Sequence, residues 1–186
     1  MAGLDPIIVI GIPRSGTTNV ARLLHNHFGV FMGHKFWNPG FAGPDGTYED
    51  LRLMEMNQLF DLGLIKIEPW KRRFRRFVKS RQKLQKPWGF KDPRLIHVLP
   101  VALSFFEHPL IIRCERHKEY VMHSQTTKLG WKREDAEAFY DNAQKIMDHV
   151  LGGQNYLLVH YPEGVRHKDE KIISALEQIE LSYGLN

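Results

Sequence analysis

The feature that most constrains the fold is a loop with two glycines, residues 11–18 (GIPRSGTT), which follows directly on a short apolar run. That run, residues 7–10 (IIVI), is mostly β-branched, which is typical of a buried parallel strand. Behind the loop, apolar residues recur at helical spacing up to Phe28, and Gly29 is a natural helix stop. A strand, loop and helix in this order direct backbone N–H groups and a helix N-terminus at one point, so the sequence predicts a phosphate-binding loop.

The rest of the chain repeats the order strand then helix. Residues 88–90, 110–112 and 156–159 are strand candidates, and a stretch with helical periodicity follows each of them. This alternation predicts an α/β domain of three layers, with a central parallel sheet of about five strands and ligands bound beyond the carboxyl ends of the strands. No linker or internal repeat is visible, so we expect residues 1–186 to form a single domain.

Two helix starts are marked by capping residues. Thr47 and Asp50 match a capping box, which predicts a helix to about Leu62 with Glu49 in its first turn. Asp92 is predicted to cap a further helix that opens at the proline behind it. A carboxylate in a first helical turn also stabilises the helix dipole, so Glu49 has a structural as well as a catalytic interpretation.

Composition narrows the class of protein further. With 42% hydrophobic and 25% charged residues the chain is expected to fold without staples, and its one cysteine, Cys114, excludes an internal disulfide and is predicted to lie in the core. No signal-like segment or long apolar run occurs, so we expect a soluble cytoplasmic protein without a membrane span. The histidines lack metal-ligand spacing with one another, so no metal site is predicted for His25, His27, His97 or His160.

The basicity of the chain is local. Residues 71–86 carry nine Lys or Arg and no acid, although the net charge of the whole chain is only +5. Such a run is either a solvated helix face or a surface that recruits an anionic acceptor, such as an acidic or sulfated glycan or an acidic peptide. Its aromatic residues also permit nucleic-acid contact, but no specific motif supports a nucleic-acid partner.

The loop matches the nucleotide-binding spacing G-x-x-x-x-G-x-T, with one decisive departure. Thr17 stands where the ATP-binding version has lysine. Phosphate binding by backbone amides survives this change, whereas transfer of an ATP γ-phosphate becomes the weaker hypothesis. A nucleotide kinase or NTPase remains the alternative enzyme, and a polyanion-binding module that uses residues 71–86 remains the alternative binding protein.

Four segments resemble the sulfotransferases that use 3′-phosphoadenosine-5′-phosphosulfate (PAPS). They are residues 13–18 (PRSGTT), 46–50 (GTYED), 88–94 (WGFKDPR) and 116–124 (RHKEYVMHS). The likeness is to the bacterial-type family and, in the loop, to the protein-tyrosine sulfotransferases. It implies transfer of a sulfuryl group from PAPS to an acceptor hydroxyl, with PAP as the product. It also leaves open a donor-binding fold that has lost its activity, because the chain is short for the family.

The resemblance assigns donor-binding residues at both ends of the nucleotide. The loop would hold the 5′-phosphosulfate, and Arg116 with Ser124, eight residues on, would hold the 3′-phosphate. Both can reach one phosphate if Arg116 precedes the helix that carries Ser124. His117 follows this arginine where the family has Asp-Pro or Asn-Pro. The donor-binding set is therefore Pro13, Arg14, Ser15, Gly16, Thr17, Thr18, Arg116 and Ser124.

The resemblance also suggests catalytic residues. Arg14 and Lys91 are the candidates for stabilising the bridging oxygen as the nucleotide departs. Glu49 is the first candidate for the base and His34 the second, and the residues alone do not decide between them. The acceptor is expected to be a small molecule, a glycan or a peptide.

Overall fold

The computed structural model describes residues 5–40, 44–162 and 168–183, and in these it contains four strands, seven α-helices and one 3₁₀ segment. The strands are β1 (Ile7–Ile10), β2 (Gly89–Lys91), β3 (Leu110–Glu115) and β4 (Tyr156–His160). The helices are α1 (Thr17–Asn26), α2 (Leu51–Asp61), α3 (Ile67–Gln82), α4 (Leu99–Leu103), α5 (Lys118–Leu129), α6 (Arg133–Leu151) and α7 (Lys168–Tyr183), and the 3₁₀ segment is Pro93–Val98.

The four strands form one parallel sheet in the order β2-β1-β3-β4. Ile8 of β1 lies between Phe90 and Ile111 on the neighbouring strands. About five strands were expected; beside β2, Phe31 forms only a single parallel bridge to Trp88. All four carboxyl ends lie at the same edge of the sheet, where the loop behind β1 also lies.

Helices cover both faces of the sheet because successive strand residues point to opposite sides. In β1, Ile8 and Ile10 pack into one core, with residues of α3 and α6. Ile7 and Val9 pack into the other, with residues of α1 and α7. The prediction of three layers is confirmed, and Cys114 lies in the second core with 2% of its surface exposed. Burial raises the pKa of this thiol to about 12.

Helix α3, which contains most of the basic run of residues 71–86, is amphipathic. Trp70, Phe74 and Phe77 are buried and stack along the helix towards the sheet. Burying three aromatic side chains contributes several kcal/mol, since each is worth about 2–3 kcal/mol. The cations of the same helix are therefore turned outwards, apart from Arg81, which is buried and paired with Asp50.

The start of α2 differs from the prediction. The helix begins at Leu51 and its cap is Asp50, whose side chain accepts a hydrogen bond from the Arg52 N–H at 3.0 Å. Thr47 instead donates its hydroxyl to the carbonyl of Trp37 at 2.9 Å. Glu49 consequently precedes the helix and does not lie in its first turn. The cap predicted at Asp92 is confirmed, because its side chain accepts from the Arg94 N–H at 3.0 Å.

Within the part of the chain that the structure describes, no helix is both long and apolar enough to cross a membrane.

Candidate active site

The loop behind β1 is shaped by two glycines. A Cβ on Gly11 would lie 2.7 Å from the carbonyl oxygen of Cys114, so a side chain there would push the loop off the sheet. Gly16 has a φ of 95° and caps α1 without a side chain of its own. Glycine has no side chain that could cap the first N–H groups of α1. A helix N-terminus of this kind attracts anions.

The Ser15 side chain lies behind the loop. Its residue is 2% exposed, and its hydroxyl has no hydrogen-bond partner among the described residues. Ser15 does not line the cavity beside the loop, whereas Arg14, Thr17 and Thr18 do. The α1 amides and these three side chains together provide donors for a phosphate-like group.

A cavity of about 520 Å³ opens at the carboxyl ends of the strands. Its lining includes the loop, Glu49 and Lys91 on one side and Arg116 and Tyr161 on the other. This is the edge at which parallel α/β sheets bind ligands. The volume lies within the range of known small-molecule sites, about 300–1,000 Å³.

Two arginines, Arg14 and Arg116, lie beside the loop. Arg14, which has a φ of 79°, donates from Nε to the Ser124 hydroxyl at 2.8 Å. Arg116 donates from Nη1 to the Arg14 carbonyl at 3.2 Å. Burial, and then the charge of Arg116, lowers the pKa of Arg14.

Arg116 stands where the prediction placed it, between the end of β3 and the start of α5. Its guanidinium also lies over the ring of Tyr161, 5.2 Å from the centroid. Tyr161 follows β4 directly and accepts a bond from Asn19 at 3.3 Å. The carboxyl ends of β3 and β4 thus supply one wall of the cavity.

Gln125 fixes the loop from behind and was not singled out in the sequence. It is fully buried, and its Nε2 donates to the carbonyl of Pro13 at 3.1 Å. A glutamine on a helix carries no local signal of this role. Only the packing of α5 against the loop reveals it.

Lys91, at the end of β2, brings an ammonium group to the loop. It is 2% exposed and donates to the Thr18 hydroxyl at 3.1 Å and to the Thr47 carbonyl at 3.2 Å. Its third contact is with Glu49, at 2.6 Å. The cation that the loop lacks at Thr17 is therefore supplied by a different strand.

Glu49 lies between two cations. One carboxylate oxygen contacts Lys91, and the other accepts from Arg94 at 2.7 Å. Glu49 is 4% exposed but lines the cavity. Arg94 is also paired with Asp92. Burial lowers the pKa of Arg94, but the negative charges of Asp92 and Glu49 raise it by more, so the pKa of Arg94 is raised overall.

Asp92 supports this cluster from the core. Burial raises its pKa to about 6, opposed by the charge of Arg94. It accepts a hydrogen bond from Asn57 at 3.0 Å, and Asn57 accepts one from the Trp70 indole at 2.9 Å. This buried position fits the structural role of a helix cap better than a direct role in the reaction.

His34 lies apart from these groups. Its side chain is exposed, packs on the edge of the Phe31 ring at 4.6 Å, and is not among the residues that line the cavity. The structure therefore brings together the loop, Glu49, Lys91 and Arg116, with Ser124 joined to them through Arg14. It does not bring His34 to them.

The far end of the cavity was missed by sequence reasoning. Aromatic and titratable side chains from four separate segments line it, namely Trp37, Asp61, His97, Trp131 and Phe139. Desolvation raises the pKa of Asp61, opposed by the charges of His97 and Arg94. These residues belong to no motif, so no local signal marks them. Tyr161 could have been found, because it directly follows a predicted strand.

A sequence profile of the sulfotransferase family matches residues 6–184. The chain belongs to the sulfotransferase family. The resemblance seen in the four motif segments is thereby confirmed, and family membership supports sulfotransfer activity in general terms. No curated protein sequence matches the chain as a relative.

Solved structures share the fold at low identity. The sulfotransferase domain of the Synechococcus PCC 7002 olefin synthase aligns with a TM-score of 0.60 and 20% identity, over 94% of this chain and 72% of that one. A sulfotransferase from Mycobacterium tuberculosis H37Rv aligns at 0.61 and 16%, over 100% and 68%. A sugar kinase from Janibacter sp. HTCC2649 aligns at 0.60 and 13%, over 97% of both chains. At such identities the likeness concerns the fold alone.

Within the described ranges, no group of three or more His, Cys, Asp or Glu side chains could hold a metal ion.

Proposed function

We propose that this member of the family transfers a sulfuryl group from PAPS to an acceptor hydroxyl and releases PAP. The observation that carries the proposal is the linkage of the loop to Arg116 and Ser124, through the contacts that both make with Arg14. A nucleotide with phosphates at its 5′ and 3′ positions needs two neighbouring anion sites, and this linkage supports the proposal that the loop is one of them and Arg116 with Ser124 the other.

The residues present fit such a donor. The α1 amides behind Gly16, with the side chains of Thr17 and Thr18 that line the cavity, would hold the 5′-phosphosulfate. Arg116 and Ser124 would hold the 3′-phosphate, with Arg14 between the two sites.

In the transfer, the bond between sulfur and the phosphate oxygen breaks as a bond forms between sulfur and the acceptor oxygen. The electron pair of the broken bond stays on the leaving phosphate, so a cation must lie beside it. Lys91 is suited to this, since its ammonium group already lies 3.1 Å from the Thr18 hydroxyl inside the loop. Arg14 would provide further positive charge from the other side.

The acceptor proton needs a base that faces the cavity. Glu49 meets this condition and His34 does not. We therefore assign the proton to the Glu49 carboxylate, which Lys91 and Arg94 hold in a fixed orientation. The same contacts keep Glu49 and Lys91 aligned with the loop.

One observation favours the alternative of a phosphoryl transferase. ATP binding was disfavoured because position 17 of the loop is a threonine and not a lysine. Lys91 nevertheless brings an ammonium group to the loop from β2. The sugar kinase also has the same fold. A kinase of this kind would need a magnesium-bound ATP, whereas a PAPS enzyme needs no metal for its donor.

Isothermal titration calorimetry separates the two. We expect PAP to bind without magnesium and far more tightly than ATP. Arg116→Ala should weaken PAP binding about 10–100-fold, since a hydrogen bond to a charged group contributes about 1.5–3 kcal/mol, but should leave adenosine 5′-phosphosulfate, which lacks the 3′-phosphate, unaffected. Arg133→Ala, at an exposed ion pair with Glu119, is the control and should change neither affinity.

Magnesium-dependent ATP binding with no response to PAP would contradict the proposal. Binding of PAP without transfer would show that the donor site remains and the activity is lost. Incubation with ³⁵S-labelled PAPS and a cell extract tests transfer directly and identifies the acceptor by its label.

A further inference from the structure

Helix α3 presents a cationic surface that the proposed chemistry does not use. Its exposed cations, here called the basic ridge, are Arg72, Arg73, Arg75, Arg76, Lys79 and Lys83, the last of these at the helix cap. Lys71 is paired with Glu68 and Arg81 with Asp50. Among the described residues, no ion pair is found for the six members of the ridge.

The spacing of the ridge makes it nearly linear. Arg72, Arg76, Lys79 and Lys83 follow one another at intervals of four, three and four residues, which places them on one side of the helix. Arg72 and Lys79 are about 10 Å apart along the axis. This side is opposite the buried Trp70 and Phe74, so the ridge faces away from the core.

Two leucines stand exposed at the N-terminal end of the same helix. Leu62 and Leu64 are 64% and 67% exposed, more than any other large hydrophobic residue described. They lie in the turn between α2 and α3, on either side of Gly63, whose φ is 68°. Neither side chain contributes to the two cores.

A groove of about 300 Å³ runs between α2 and α3 beside the ridge. Three arginines line it, Arg52, Arg73 and Arg76, together with the carboxylate of Glu55 and the apolar side chains of Met56, Leu59 and Phe77. The three guanidinium groups outnumber the one carboxylate, so the groove offers net positive charge beside apolar contact, as a phosphate headgroup on an acyl chain would require.

The aromatic residues of α3 argue against a single-stranded nucleic acid. Binding of single strands relies on aromatic side chains that stack on bases, and Trp70, Phe74 and Phe77 are buried. A soluble polyanion would use the cations alone and would leave Leu62 and Leu64 in water. An anionic bilayer uses both features, because cations bind its headgroups and apolar side chains enter the boundary below them.

We propose that the turn at Leu62 and Leu64 and the basic ridge of α3 dock this protein on an anionic lipid surface. The contact is peripheral, and it does not depend on the donor or on sulfuryl transfer. It is distinct from the cavity, although Asp61, which lines the far end of the cavity, directly precedes Leu62. A docked molecule would thus have this end of the cavity near the membrane.

Vesicle co-sedimentation tests the proposal on the full chain. We expect binding to vesicles of 30% phosphatidylserine in phosphatidylcholine and none to pure phosphatidylcholine, with loss of binding as salt increases. Each cation near the surface contributes about fivefold, so Arg72→Gln/Lys79→Gln should lower the partition coefficient about 25-fold. The control Lys145→Gln/Lys171→Gln removes the same charge from other exposed positions and should have little effect.

The leucines distinguish a membrane from a soluble polyanion. Leu62→Ser/Leu64→Ser should also reduce vesicle binding at least tenfold, whereas Leu158→Ser, at an exposed position of β4, should not. Thermal unfolding of each variant checks the fold. Absence of binding to anionic vesicles would overturn the proposal. So would binding that the leucine variant leaves unchanged, or a preference for heparin or RNA over vesicles that only the charge variant abolishes.

Discussion

At the scale of single residues, the site depends on side chains that hold one another. Glu49 and Lys91 are both nearly inaccessible to solvent and contact each other at 2.6 Å, while Arg94 occupies the second oxygen of Glu49. A buried charge is tolerated only when it is paired. Each member therefore holds the others in place as well as carrying its own proposed role.

Substitution of Glu49 tests the choice of base. Glu49→Gln should lower kcat by about 10²–10⁴, the usual contribution of a general base, with little change in the Kd of PAP. His34→Gln should leave both unchanged, because its side chain lies outside the cavity. Rate assays with ³⁵S-labelled PAPS and calorimetry with PAP measure the two quantities. The opposite pattern, with activity lost only in the His34 variant, would reject Glu49 as the base.

At the scale of elements, the loop between β1 and α1 requires glycine at its second bend. Gly16 has φ 95°, and a Cβ there would overlap the ring of Tyr161 behind β4. Gly130, which follows α5, has φ 71° but nothing within 4 Å of its Cβ position. The two glycines share the backbone requirement and differ in what surrounds them.

Alanine substitutions at Gly16 and Gly130 distinguish backbone strain, which both positions share, from disturbance of the candidate site, which only Gly16 should cause. Gly130→Ala should lose about 1–2 kcal/mol of unfolding free energy, the cost of a left-handed conformation with a side chain, and Gly16→Ala should lose more, because its Cβ also overlaps the Tyr161 ring. Gly16→Ala should also weaken PAP binding at least tenfold, because Tyr161 must move and Arg116 rests on its ring. Denaturant unfolding and calorimetry measure both effects. Equal PAP affinity in the two variants would show that the loop tolerates the displacement.

At the scale of the whole molecule, one hydrogen-bonded chain joins the core to the site. It runs from the Trp70 indole through Asn57 and Asp92 to Arg94 and then to Glu49. These groups come from α3, α2 and the 3₁₀ segment, so the packing of three elements sets the position of the proposed base. Stability and site geometry are therefore coupled.

This coupling predicts a pH dependence of stability. Burial raises the pKa of Asp92 to about 6 in the folded protein, whereas the pKa is about 4 in the unfolded chain. Between pH 4 and pH 6, Asp92 is therefore protonated in the folded state and ionised in the unfolded state. The contribution of protonated Asp92 is present below pH 4 and is lost as the pH rises through 6. The loss is about 3 kcal/mol, at about 1.4 kcal/mol for each pH unit.

Denaturant unfolding from pH 4 to pH 7 measures this dependence. Relative to Asp92→Asn, which does not titrate, the wild type should lose stability across that interval. If the difference in unfolding free energy between the two proteins were the same at all pH values, the carboxyl group of Asp92 would not change its protonation state between pH 4 and pH 7.

The chain by itself determined the elements of this protein and their class. The apolar run at residues 7–10, the glycines of the loop and the apolar spacing of α3 are local patterns, and backbone sterics and burial act on them over a few residues. The strand, loop and helix, the parallel sheet and the cap at Asp92 were therefore predictable. The start of α2 was not, because Asp50 rather than Thr47 caps the helix.

Only the tertiary structure decided which side chains meet. Arg14 and Ser124 are 110 positions apart, and Lys91 and Thr18 are 73 apart. Such contacts depend on strand order and helix packing, which bring distant carboxyl ends to one edge of the sheet. The same packing leaves His34 at the surface and turns the basic ridge to solvent, because aromatic burial on the other side of α3 is the stronger free-energy contribution.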